Sequence, residues 1–123
     1  MADAQSHRIL LVEDNDLIRD MAADILRDEG FFIAEAADVN EALKHLGDED
    51  FDLLLSDVRL PGKSGRELAD HLREQGNEMP IILMTGYSEE SFKRDDFLAR
   101  RMSLLRKPFQ IRELLDAVRT ALA

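Results

Sequence analysis

Short apolar runs recur five times along this chain, and after four of them the spacing of apolar residues changes to every third or fourth position. The runs are Ile9 to Val12, Phe31 to Ala34, Leu53 to Ser56, Ile81 to Met84 and Ser103 to Leu105. Each is too short for a buried helix and rich enough in aliphatic side chains for a buried strand. Between them lie helical stripes. Leu17, Ile18, Met21, Ala22, Ile25 and Leu26 mark one that Gly30 should stop, and Val39, Ala42, Leu43 and Leu46 mark a second that closes near Gly47. Leu68, Ala69 and Leu72 carry a third, after the turn segment RLPGKSG, in which Pro61, Gly62 and Gly65 argue against regular structure. Ser88 to Arg101 is read as a fourth helix, although Phe92, Phe97 and Leu98 form no clean stripe. Ile111, Leu114, Leu115, Val118 and Leu122 mark the fifth.

Strands that alternate with helices are joined by crossovers long enough to return the chain parallel to itself. The expected fold is therefore an α/β domain, a doubly wound five-stranded parallel sheet with five helices distributed over both faces by right-handed crossovers. One domain is expected over residues 1–123, with 1–7 as a flexible N-terminal tail. Polar residues interrupt the pattern almost only at the carboxyl ends of strands: Glu13 and Asp14, Asp57, Thr85, and Lys107. In an open parallel sheet that rim holds the ligand crevice. Taken singly, Asp14 reads as a helix cap, Thr85 as a strand residue and Lys107 as a surface charge. Their joint occurrence at one rim argues for a site.

Acids from neighbouring strands repel, by roughly 4 kcal/mol for a pair at ~4 Å in an effective dielectric near 20, so such a cluster calls for a cation. Oxygen donors without histidine or cysteine favour Mg2+, Mn2+ or Ca2+ over zinc, and Mg2+ best suits few carboxylates with positions left for water and phosphate oxygens. A lysine facing the same cluster supplies a charge that pairs with a phosphoryl oxygen.

Composition narrows the field. Cysteine is absent, which removes disulfides, thiolate zinc sites and thiol nucleophiles together. A formal net charge of −10 repels a phosphate backbone and argues against direct nucleic-acid binding. No stretch approaches the ~20 apolar residues of a membrane helix, and MADAQSHR lacks the apolar core of a secretory signal, so membrane insertion is not expected and the cytoplasm is the expected location.

The segments ILLVEDN, LLLSDVRLPGKSG, PIILMTGYS and LLRKPF together resemble the receiver domain of bacterial two-component response regulators, of the single-domain, chemotaxis-regulator-like kind. The resemblance runs from about Ile9 to the end of the chain. It implies a flavodoxin-like sheet in the order 2-1-3-4-5. It also implies roles: Asp57 as phosphoacceptor; Glu13, Asp14, Asp57 and the backbone carbonyl of Arg59 around Mg2+ or Mn2+; Thr85 and Lys107 on the phosphoryl oxygens. The Lys107–Pro108 peptide would be cis, and Gly86 would leave room for the donor. One departure stands out. Many receivers carry Tyr or Phe three residues before the lysine, and this chain has Leu104, so the coupling of Thr85 to an aromatic would fall to Tyr87, whose alternative is a half-buried loop aromatic that packs without switching. Arg59 and Tyr87 stand where they would crowd the water that hydrolyses the acyl phosphate.

The resemblance implies a phosphorylation-dependent signalling switch rather than a classical enzyme, with self-catalysed phosphoryl transfer and autodephosphorylation. Its donor would be a phosphohistidine on a sensor histidine kinase or histidine phosphotransfer protein, docking on the first helix around Leu17, Ile18 and Met21. A downstream protein target would read the segment from Ser88 to Ala123. The chain ends with its last helix and begins at Met1, features expected of a single-domain regulator with no attached output domain. Two alternatives compete: a magnesium-dependent small phosphatase and a non-phosphorylated receiver-like binding scaffold. A phosphatase with a nucleophilic aspartate would want a second acid two residues on, where this chain has Arg59. All five rim residues are present, against the scaffold.

Overall fold

The computed structural model describes residues 7–86 and 101–123. Five parallel strands form one sheet in the order β2-β1-β3-β4-β5. They are β1 (Arg8–Val12), β2 (Phe32–Ala36), β3 (Leu53–Asp57), β4 (Ile81–Thr85) and β5 (Met102–Arg106). Four helices lie among the described residues: α1 (Asp16–Asp28), α2 (Val39–Asp48), α3 (Gly65–Glu74) and α4 (Ile111–Leu122). The segment read as a further helix, Ser88 to Arg101, lies outside the described residues except for Arg101, a turn residue with φ 56°. Most of the expected tail, residues 1–6, also lies outside them, whereas the carbonyl of His7 accepts from the amide of Phe32.

Side-chain alternation along the central strands builds two cores, one per face. Leu10, Val12, Leu54, Ile81 and Leu83 pack with α2 and α3 through Ala42, Leu68, Ala69 and Leu72. Ile9, Leu11, Leu53, Leu55, Ile82 and Met84 pack with α1 and α4 through Ala23, Leu26, Leu114 and Val118. Strands buried on both faces have no polar side to alternate with, which is why they read as continuous apolar runs.

Several boundaries differ from the sequence reading. β2 starts one residue later and runs two further, to Ala36, because all five of its positions pair with β1 in the register Arg8↔Phe32 to Val12↔Ala36. Glu35 sits comfortably in it because β2 is an edge strand and the carboxylate finds Arg27 Nη2 at 3.1 Å. The outward carbonyls of this edge are themselves covered: Ile33 accepts from Arg27 Nη2 and Glu35 from His45 Nε2, each at 3.1 Å. Side chains that cap an edge remove the template on which another strand would pair.

Gly65 is the larger surprise. It opens α3 instead of belonging to an irregular turn, because Ser64 caps the helix by accepting from the Glu67 amide while Glu67 reaches back to the Ser64 amide. Glycine is required there by proximity: a Cβ would stand 2.1 Å from the carbonyl oxygen of Asp57 and 2.7 Å from Ser56 Oγ. Gly47, inside α2, has nothing within 4 Å of such a Cβ. Two opposite outcomes are expected from the same chemical change. Gly47→Ala should stabilise the protein by about 0.5–1 kcal/mol, and Gly65→Ala should destabilise it by roughly 1–3 kcal/mol as α3 is forced off β3, both measured by urea unfolding.

Candidate functional site

Glu13 and Asp57 meet because of register. Val12 pairs with Ser56, so the next residue of each strand lies side by side, and both share the alternation of Ile9/Leu11 and Leu53/Leu55. Adjacent strands stand about 4.8 Å apart, so the two carboxylates are brought into contact distance by the sheet itself. Glu13 is 1% exposed and Asp57 8%. Asp14, one residue on, is exposed, and one carboxylate oxygen from each of the three lies within 4.8 Å of the others.

The sheet delivers a cation to the same point. Lys107 follows β5 directly, and its amide donates to the Thr85 carbonyl at 2.7 Å, which continues the β4–β5 ladder one step into the rim. Its Nζ lies 2.6 Å from Glu13 Oε1 and 2.8 Å from Asp57 Oδ2. The remaining oxygens are held by backbone: the Asn15 amide donates to Glu13 Oε2 at 3.1 Å, and the Arg59 amide to Asp57 Oδ1 at 3.3 Å. Thr85 is buried at the end of β4, with its hydroxyl donating to the Gly86 carbonyl at 3.1 Å. The peptide between Lys107 and Pro108 is cis.

These contacts set the charges. Burial pushes the Glu13 carboxyl above its ordinary 4.5, an effect only partly offset by the hydrogen bonds from Lys107 and Asn15 and reinforced by the charge on Asp57. Burial alone would lower the Lys107 ammonium, but its hydrogen bonds to Asp57 and Glu13 outweigh that and hold it above 10.5. The donor set is all oxygen, anionic and open to solvent through Asp14, which fits a hard divalent cation.

A model of the response regulator receiver domain matches residues 9–119. The chain belongs to this family. Receiver domains are regulatory phosphoacceptor domains that work with histidine kinases or phosphotransfer proteins and with downstream targets, and they bind Mg2+ at an acidic pocket. The receiver is 35% identical over 117 residues to Regulatory protein VanRB of Enterococcus faecalis, covering 95% of this chain and 53% of that protein. It is 31% identical over 119 residues to the Phosphate regulon transcriptional regulatory protein PhoB of Escherichia coli, covering 95% of this chain and 52% of that protein. The chain thus spans about half the length of these curated relatives. Chemotaxis response regulator CheY4 of Vibrio cholerae superposes with a TM-score of 0.82 at 30% identity, covering 94% of this chain and 98% of that one.

The receiver brings Glu13, Asp14, Asp57 and Lys107 together, with Thr85 tied to Lys107 through the backbone. Arg59 touches the site through its amide, and its side chain is exposed. Leu104, three residues before Lys107, is 42% exposed on β5, while Tyr87 lies outside the described residues. Asp14 is not the cap of α1. Asn15 does that work, accepting from the Ile18 amide at 3.0 Å, which leaves the Asp14 carboxylate at the rim. Sequence reasoning missed Ser56, whose buried hydroxyl donates to the Asp57 carbonyl at 2.9 Å, and Arg19, whose Nη1 lies 2.8 Å from the Glu13 carbonyl oxygen. Ser56 carried a signal, a hydroxyl in an otherwise aliphatic strand. Arg19 carried none, because an arginine on the polar side of an amphipathic helix looks like any surface charge.

The raised Glu13 gives a pH dependence of definite sign. Its protonated form is the one folding favours, so its favourable contribution is complete below 4.5 and is lost as pH rises through the raised folded value. In chelator-treated protein, Glu13→Gln should therefore be more stable than the parent near neutral pH, the gap closing below 4.5. Urea midpoints across that range measure it, and a variant less stable at neutral pH contradicts it.

Proposed function

We propose that this receiver is a phosphorylation-dependent switch in a two-component or phosphorelay pathway, in which Asp57 accepts a phosphoryl group from a phosphohistidine on a sensor histidine kinase or histidine phosphotransfer protein. The supporting observation is the Asp57 carboxylate itself: buried at the strand end, grouped with the exposed Asp14 and with Glu13, and paired with Lys107 Nζ at 2.8 Å. Glu13, Asp14, Asp57 and the backbone carbonyl of Arg59 would hold Mg2+, or Mn2+ in its place. Bound there, the ion would supply stabilisation for the charge on the transferring phosphoryl oxygens.

The protein's own part is placement. Asp57 needs no base, since a carboxylate is already a nucleophile near neutral pH. One of its oxygens bonds to phosphorus as the donor P–N bond breaks, its electron pair returning to the imidazole nitrogen. Lys107 then turns from the carboxylate to a phosphoryl oxygen, and the Thr85 hydroxyl turns from the Gly86 carbonyl to donate to another, drawing the β4 end inward. The acyl phosphate is later hydrolysed by an in-line water that passes the exposed Arg59 side chain.

The donor's helices would rest on α1. Leu17 is 79% exposed and Met21 48%. Beside them an apolar groove lined by Ile18, Met21, Gly86, Pro108 and Phe109 opens onto Lys107. Output would be contact with a downstream protein, in the cytoplasm. Among the described residues no helix is long and apolar enough to cross a membrane.

Incubation with Mg2+ and acetyl phosphate should add one phosphoryl group by intact mass, reversibly. Asp57→Asn should abolish the gain. Equal labelling of that variant overturns Asp57 as the acceptor, and no labelling of the parent overturns the switch and leaves the binding scaffold as the better reading.

A further inference from the structure

Arg19 is a charged residue that is half-buried where a helix would ordinarily show a solvated face. Its side chain is 16% exposed and its guanidinium reaches three separate segments. Nη1 donates to the carbonyl of Glu13 at 2.8 Å, at the end of β1; Nη2 donates to Asp16 Oδ1 at 2.7 Å, in the first turn of α1; Nε lies 3.5 Å from Glu35 Oε1, on β2. Glu35 is in turn held by Arg27 Nη2 at 3.1 Å, so the anchor on β2 is itself fixed.

The contact with the Glu13 carbonyl matters most. That carbonyl belongs to the peptide joining Glu13 to Asp14, and a peptide is planar, so holding the oxygen restrains the plane and with it the position of the Asp14 Cα, leaving φ of Asp14 as the rotation that turns its side chain. The peptide before it is also held, by the Glu13 amide donating to the Ala36 carbonyl at 3.0 Å. Asp14 is exposed, so its aim depends on the backbone that carries it. Glu13, in contrast, is gripped directly through both carboxylate oxygens by Lys107 and the Asn15 amide.

We propose that Arg19 is a positioning residue that places Asp14 for a divalent cation beside the already held Glu13, by tying the peptide between them to α1 and β2. This rests on the metal reading given above. Outer groups that orient the residues holding a metal typically change its affinity by 10–100-fold when altered. A guanidinium is suited to the task because its planar fork serves several acceptors at once, whereas an ammonium is a point charge on a flexible stem.

The substitution that isolates geometry from charge is therefore Arg19→Lys, with Glu35→Asp as a milder companion that keeps its charge but shortens the anchor. Mg2+ titrated calorimetrically into chelator-stripped full chain should bind Arg19→Lys at least ~10-fold more weakly than the parent, and Glu35→Asp more weakly by a smaller factor. In metal-free protein the amide resonance of Asp14 should move in both variants, because its peptide plane is no longer held. A helix tie with no role at the site would lower unfolding midpoints while leaving Mg2+ affinity unchanged, and this result overturns the inference. If Arg19→Lys does not fold, an unchanged Mg2+ affinity in Glu35→Asp overturns it alone. A parent chain that takes up no Mg2+ removes the metal reading and this role with it; a parent that binds with Arg19→Lys binding equally removes only the role of Arg19.

Discussion

Two acids end neighbouring parallel strands with their side chains on one face, and the ammonium of Lys107 makes that tolerable. Its contacts of 2.6 Å to Glu13 and 2.8 Å to Asp57 join residues far apart in the chain. They depend on the whole sheet being in register, since β1 and β3 bring the acids and the β4–β5 ladder brings the lysine. The rim therefore reports on the integrity of the fold. A slip of one residue in any of these strands would send a charged side chain to the opposite face, into a core with no counter-ion.

The arrangement works against stability where it serves chemistry. Burial raises the Glu13 carboxyl, which means that the folded protein would hold that group more comfortably as a neutral acid. Such a group is ready for a cation because the folded protein alone does not fully satisfy it. The cost is carried by two apolar cores and by local devices that keep the rim from relaxing: the Asn15 cap, the Gly65 approach to β3, and Arg19 on the Glu13 carbonyl. Shifted groups of this kind gather at functional sites, where burial and neighbouring charges are arranged to move them.

Much of this was legible in the chain. Every strand was found to within two residues, since a strand buried on both faces leaves a run that few other elements share. The errors have particular causes. The second strand was read as ending at Ala34, yet it runs on through Glu35 because an edge strand tolerates a charge that a partner helix can pair. Gly65 looked like turn chemistry, and nothing local reveals that a neighbouring backbone passes 2.1 Å from where its Cβ would be. Asp14 looked like a helix cap when read singly, and the adjacent Asn15 proved the better one.

The order of residues by itself determined that apolar runs would be strands, that helices would return between them, and that five polar side chains would emerge at one rim, because backbone period and burial are properties of short stretches. Only the tertiary structure decided which oxygen each cation holds, that Lys107 lies between Glu13 and Asp57, and that Arg19 binds the Glu13 carbonyl instead of solvent. Those outcomes are differences of ångströms between groups distant in the chain, and electrostatic and hydrogen-bond energies turn on such distances while hydrophobic patterning does not.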